Sequence, residues 1–166
     1  MPDSKLMQEI EDRYQIEQVL RRYARGVDRL DADLIRSVYH EDATDDHGGF
    51  KGKGVDFAQY CVDALRAHAV ATMHNMHQVN IDFDGDTAWV EVYFTALHRC
   101  ERDGNTVLET FGGRYADRFE KRQDEWKIAD RTVIYEWSKV ETVAQEYPNQ
   151  VFEQGKRSTT DLTYRR

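Results

Sequence analysis

The chain has 166 residues, 31 acidic against 23 basic, and a formal charge of -8. That length suits one domain with one sizeable core. The acidic balance argues against nucleic acid and anionic membranes as partners, because both demand clustered positive charge. No stretch approaches the ~20 apolar residues of a membrane helix. Lys5, Glu9, Glu11 and Asp12 interrupt any leader-like apolar run at the N-terminus. Cys61 and Cys100 fit no metal or redox spacing, which suggests a reduced, cytoplasmic setting, although two cysteines could pair. With only two prolines, no Pro-rich linker divides the chain, and there is no internal repeat.

Residues 4–30 read as one long helix. Ile16, Val19, Leu20, Tyr23, Val27 and Leu30 fall within an arc of roughly 100°, whereas Ile10 and Tyr14 fall outside it. Gly26 interrupts good helix chemistry, and close approach of another element would explain it. Asp31 reads as the cap of a second helix over 32–40. Residues 41–54 are polar and Gly-rich, and predict a loop or a short strand with turns. A third helix is expected over 55–68, with Phe57, Tyr60, Cys61 and Leu65 on its apolar face.

Beyond that point the period changes from helical to alternating. Residues 71–86 read as a first long strand. In 87–99, Ala88, Val90, Val92, Phe94 and Ala96 alternate with Trp89, Glu91, Tyr93, Thr95 and Leu97. Further strands are expected over 106–120 and 125–140. The connections Asp84-Gly85-Asp86, Arg102-Asp103-Gly104-Asn105 and Lys121-Arg122-Gln123-Asp124 carry hairpin chemistry. Gly112-Gly113 is a natural bend point. The expected fold is α+β: a cone-shaped, curved antiparallel sheet of four long strands plus a short one, closed by three N-terminal helices. The expected single domain has its core at about 8–140, and 141–166 form a C-terminal tail of loop or partner-contacting character.

Four stretches, in order, resemble the motifs of the SnoaL-like branch of the nuclear-transport-factor-2-like (cystatin-like) superfamily. They are Tyr23-Ala24-Arg25-Gly26-Val27-Asp28, Tyr39-His40-Glu41-Asp42-Ala43, Thr72-Met73-His74, and Gly113-Arg114-Tyr115 with Trp126-Lys127-Ile128. Within that branch the chain looks like the scytalone dehydratases, lindane dehydrochlorinases and bile-acid 7α-dehydratases. The resemblance implies a helix Asp, here Asp28, paired with a histidine opening the first long strand, here His74. It also implies a helix Tyr five residues before the Asp, here Tyr23. Those enzymes carry an Asp on the second long strand and an Arg on the last. The corresponding regions here offer His98 and, displaced by about two residues, Arg131.

The residues themselves leave alternatives open. Five helix positions offset Tyr23 and Asp28 by ~140°, so a shared pocket must wrap the helix edge or use a distortion at Gly26. Strict strand alternation puts His77, not His74, in phase with Val79, Ile81 and Phe83, unless a bulge intervenes or both sheet faces are buried. His98 follows Val92, Phe94 and Ala96 in phase, as a pocket-wall residue would. Tyr93, Phe111, Tyr135 and Trp137 could line an apolar cavity, and Arg114 or Arg131 could meet an anionic group. Asp45, Asp46 and His47 form a cluster whose Gly-rich setting reads as solvated. His74 and His77, three apart on a strand, point to opposite faces, so no metal site is expected. Elimination needs a base near neutral pKa, a carboxylate to orient it and a donor for the leaving group. The expected function is therefore a cofactor-independent lyase of dehydratase type acting on a hydrophobic alicyclic, steroid-like or aromatic molecule. A ketosteroid-isomerase-like isomerase or hydrolase, or a non-catalytic binding module, are the alternatives. A homo-oligomer is expected, with a trimer favoured over a dimer.

Overall fold

The computed structural model describes residues 4–145 and 151–165. Helix α1 (Ser4–Arg29) buries Ile16, Val19, Leu20, Tyr23, Gly26 and Val27, while Ile10 and Tyr14 stay exposed. A Cβ on Gly26 would sit 2.8 Å from the Ile35 side chain, so this glycine lets α2 (Ala32–Arg36) pack against α1. The chain reverses at Leu30, whose φ is 52°, and the Asp31 carboxylate then caps α2 by accepting the Leu34 N–H at 3.0 Å.

Here the expected boundaries need correction. Helix α2 stops at Arg36 rather than His40. Residues 39–46, read as the end of that helix and the start of a polar loop or short strand with turns, form strand β1 (Tyr39–Asp46), followed by β2 (Lys51–Lys53). The Ile128 N–H donates to the Val38 carbonyl at 2.9 Å, so pairing with the far end of the chain takes over from the helix. The polar strand survives burial because its side chains find partners. Asp45 accepts the Tyr39 hydroxyl at 2.7 Å, and Thr44 bonds Asp130. Helix α3 (Gly54–His68) starts where Gly54 makes room for the Tyr39 ring.

Four long strands follow: β3 (Ala71–Asp84), β4 (Thr87–Arg102), β5 (Asn105–Arg122) and β6 (Glu125–Thr142). The sheet order is β2-β1-β6-β5-β4-β3. Every neighbouring pair is antiparallel except β1 with β6, which is parallel. The hairpin turns carry positive φ at Gly85, Asp103, Gly104, Gln123 and Asp124, the backbone shape that such turns require. A register shift falls between Gly112 and Gly113, where the Trp137 ring and the Ile134 carbonyl occupy the space of the missing Cβ atoms. The sheet curls without closing. Ala88, Val90, Val92, Phe94 and Ala96 face the helices, and with Ile16, Leu20, Phe119, Trp126 and Ile128 they make the core. Trp89, Tyr93 and Trp137 are exposed on the outer face.

The described part of the tail, 151–165, lies against the C-terminal end of α1. Arg29 pairs with Asp161 at 3.3 Å, and the Tyr164 hydroxyl donates to Asp31 at 3.0 Å. Arg25 stacks over the Tyr164 ring, and Arg157 donates to the Leu65 carbonyl at 3.1 Å. The rest of the expected tail, 146–150 and 166, lies outside the described residues. No described helix is long and apolar enough to cross a membrane.

Candidate active site

The concave side of the sheet and the helices enclose a cavity of about 390 Å³. Its wall is mostly apolar and aromatic, with Phe57, Leu65, Phe94, Phe111, Tyr115 and Val133, and Tyr135 also contributes. Three imidazoles, of His47, His74 and His98, and the hydroxyl-bearing Tyr23 break that surface.

His74 reaches the cavity through a bulge in β3. His74 pairs with Ala96 and Met76 with Phe94, but the next pair in phase is Val79 with Val92. One extra residue therefore lies between Met76 and Val79, and the alternation is reset. Thr72, His74 and Met76 lie on the same face as Ile81, because each sits opposite an inward-facing β4 residue. His77 lies at the bulge on the exposed side and bonds the Thr95 hydroxyl at 2.9 Å. With Tyr93 and Trp137 it lines a separate groove on the outer face, so these three do not touch the cavity.

Asp28 projects from the last turn of α1 toward β3. One carboxylate oxygen lies 2.8 Å from His74 Nδ1, and the other accepts the His74 backbone N–H at 3.0 Å. The two side chains are 13% and 9% exposed. A carboxylate at Nδ1 places the ring proton there and leaves the Nε2 lone pair on the cavity side. Tyr23 lines the cavity, whereas Asp28 does not. The helical offset between them is resolved because Asp28 acts from behind the His74 ring.

His98 sits 5.6 Å from His74 and 5.3 Å from Phe111, ring to ring, and neither of its buried nitrogens has a partner among the described residues. Burial, reinforced by His74 and His68, lowers its pKa to about 4, so it is a neutral donor and acceptor facing the cavity.

Arg131 does not reach the cavity. It is fully buried and forks onto Asp117 at 2.8 and 2.6 Å, with its guanidinium 4.2 Å from the centres of the Tyr23 and Tyr115 rings. Its charge is spent internally, and burial still raises the Asp117 pKa against the pull of Arg131. Arg114, on the outer side, bridges Glu91 and Glu136.

The solvated reading of Asp45 and His47 also needs correction. Asp45 is 1% exposed, and His47 stacks on Phe57 at 4.0 Å. His47 Nδ1 contacts Asp45, while Nε2 lies 3.1 Å from the Tyr23 hydroxyl. Burial lowers the His47 pKa, opposed by the bond to Asp45. The cavity therefore carries a second imidazole–carboxylate pair. Its sequence signal was the Asp-x-His spacing, which puts both side chains on one face once residues 39–46 are a strand.

Among the described residues, the donor atoms of His68, Cys100 and Glu109 lie within 4.8 Å of one another, close enough to share an ion. Glu109 is already engaged by His68 at 2.6 Å and by Arg102, and burial raises the Cys100 thiol pKa. In this arrangement the trio is a closed ion-pair cluster.

A curled, unclosed sheet with helices packed into its concave side and a cavity between them defines the cone-shaped nuclear-transport-factor-2-like architecture. The chain belongs to the SnoaL-like domain family, whose model matches residues 8–132. Among solved structures, it is similar to a type 2 hexachlorocyclohexane dehydrochlorinase, LinA. The two share 17% identity and a TM-score of 0.76, over 87% of this chain and 99% of that one. It is also similar to a protein of Novosphingobium aromaticivorans provisionally named a scytalone dehydratase, at 20% identity and a TM-score of 0.71, over 87% and 97%. A third is the Kfla4162 protein of Kribbella flavida, at 20% identity and a TM-score of 0.71, over 79% and 95%. At such identities the likeness is one of fold. No curated protein sequence matches the chain.

Proposed function

We propose that the protein is a cofactor-independent lyase that eliminates water or halide from a hydrophobic alicyclic, steroid-like or aromatic molecule held in the cavity. The observation that carries this reading is the His74 imidazole, fixed by Asp28 at 2.8 Å behind it and bordering an apolar pocket in front. His74 Nε2 takes a proton from carbon. The C–H electron pair becomes the new π bond, and the leaving group departs with the electrons of its own bond. Asp28 holds the tautomer and stabilises the imidazolium. His98, also on the wall, assists the leaving group or an adjacent carbonyl; Tyr23 borders the same space with its hydroxyl bonded to His47, and Phe111 and Tyr135 provide apolar contact. The dehydrochlorinase and dehydratase names among the structural neighbours support the same class.

The test is turnover on a panel of alicyclic and aromatic alcohols and halides, followed by mass spectrometry. Asp28→Asn and His74→Ala should each lower elimination by ~100-fold or more with the fold retained. Near-normal turnover in either variant rejects the assignment. Double-bond migration without loss of water or halide identifies the isomerase alternative instead. We also propose a homo-oligomer, a trimer before a dimer. The exposed Trp89, Tyr93 and Trp137 on the outer sheet face support it, and light scattering on the purified protein reads it directly.

A further inference from the structure

We infer that the cavity has a second polar pole, built on His47 and Asp45, that recognises a hydroxyl group on an uncharged ring compound. The inference rests on the cavity being the substrate site, as in the lyase reading, and not on elimination itself.

Asp45 is buried and accepts from the Tyr39 hydroxyl at 2.7 Å on one oxygen; the other contacts His47 Nδ1. An acceptor at Nδ1 puts the ring proton there, so Nε2 of the neutral ring is an acceptor. Its partner 3.1 Å away is the Tyr23 hydroxyl, which must donate. The Tyr115 ring meets the Tyr23 ring edge-on, with the ring centres 5.7 Å apart. The chain of donors therefore runs from Tyr23 through His47 to Asp45. Both protons of this chain point away from the cavity, which Tyr23 and Tyr115 line.

What the pole offers a ligand is oxygen lone pairs. A ligand O–H can donate to the Tyr23 oxygen, a bond that an ether cannot make. Successive bonds in such a chain polarise one another, which strengthens the terminal acceptor. The Arg131 guanidinium, 4.2 Å over both phenol rings, favours the negative charge that a donating ligand pushes onto that oxygen. An anionic ligand gains no ion pair, because Arg131 is itself closed off by Asp117. His47 does not touch the ligand through its ring nitrogens in this scheme. It is a positioning residue that turns the Tyr23 proton inward.

Two bicyclic probes of nearly equal shape separate this from a structural role. Binding of 2-naphthol and of 2-methoxynaphthalene is measured by fluorescence titration of the full chain. The hydroxyl compound should bind about tenfold more tightly than its methyl ether, the worth of one hydrogen bond. Tyr23→Phe and His47→Phe should bring that ratio to about one while the ether keeps its affinity within about twofold. His47→Gln, whose amide can still accept from Tyr23, should restore part of the ratio. A melting curve shows whether each variant is folded, and Tyr23→Phe removes a single oxygen if the His47 variants are not. Equal binding of the two probes by the native protein overturns the inference. So does a ratio that survives Tyr23→Phe, or failure of both probes to bind. His74→Asn should leave the ratio intact. If it abolishes the ratio instead, the hydroxyl sits at the Asp28 pair and the second pole is rejected, while the lyase reading stands. Failure of every elimination assay, with the ratio intact, rejects the lyase reading alone.

Discussion

Arg131→Leu isolates the cost of a buried charge left without its partner. Arg131 and Asp117 have fully buried side chains and meet through two bonds of 2.8 and 2.6 Å. Removing the cation leaves Asp117 in a site whose burial already raises its pKa even with Arg131 present. Breaking one side of such a pair costs about 3–5 kcal/mol. Loss of the guanidinium from over the Tyr23 and Tyr115 rings adds to it. At about 2–4 °C per kcal/mol for a chain of this size, the melting temperature should fall by roughly 6–20 °C. The sign of the pH effect is a second check. In the variant, burial makes folded Asp117 hold its proton more tightly than the unfolded chain does, where a carboxylate titrates at about 3.9. The unfolded state then binds fewer protons above its own carboxylate pKa, so stability falls as pH rises and recovers as pH is lowered toward about 4. Arg131→Leu with Asp117→Leu should restore much of the loss, because neither charge is then left unpaired. Thermal and urea unfolding at several pH values measure all three quantities. A loss below about 1 kcal/mol, or a double variant no better than the single, refutes the reasoning.

Two further expectations concern the walls of the same cone. Gly54→Ala would place a Cβ 2.3 Å from the Tyr39 ring, so the ring and the Asp45 contact it makes must shift; overpacking of this kind should cost about 1–3 kcal/mol in thermal unfolding. His98 titrates at about 4 when folded against 6.5 for the free side chain. The unfolded state takes up that proton first, so His98 lowers stability as pH falls from about 6.5 to about 4, by at most about 3 kcal/mol. His98→Phe should flatten that part of the stability profile; an unchanged slope would show that another group carries it.

The sequence made the helices and the meander legible because each obeys a short-range rule. The α1 stripe from Ile16 to Val27 keeps the helical period, and Gly85, Gly104 and the 121–124 turn punctuate strands that alternate cleanly. Strand β1 was hidden because its partner is β6, some 85 residues later, as in the pairing of Thr44 with Asp130. Its polar side chains look solvated until Tyr39, His47 and Asp130 arrive to satisfy them. The same distance hid the fate of Arg131: Asp117 stands directly across from it on β5, and only the pairing register brings them together. His77 in place of His74 is what alternation alone dictates, and the bulge at Met76–Val79 breaks that alternation.

That bulge gives the reactive face of β3 an unusual kind of dependence. The orientation of His74 relative to the apolar half of its strand is set by how many residues separate them, and not by which residues those are. Within a pleated strand, parity is a counting property. Substitutions along 77–78 can accumulate on the exposed side without turning His74 away from the cavity. An insertion or deletion of one residue there would change parity at a stroke and leave every side chain of the pair with Asp28 chemically intact. Among relatives of this fold, the length of that segment therefore carries information about the cavity that residue-by-residue identity does not.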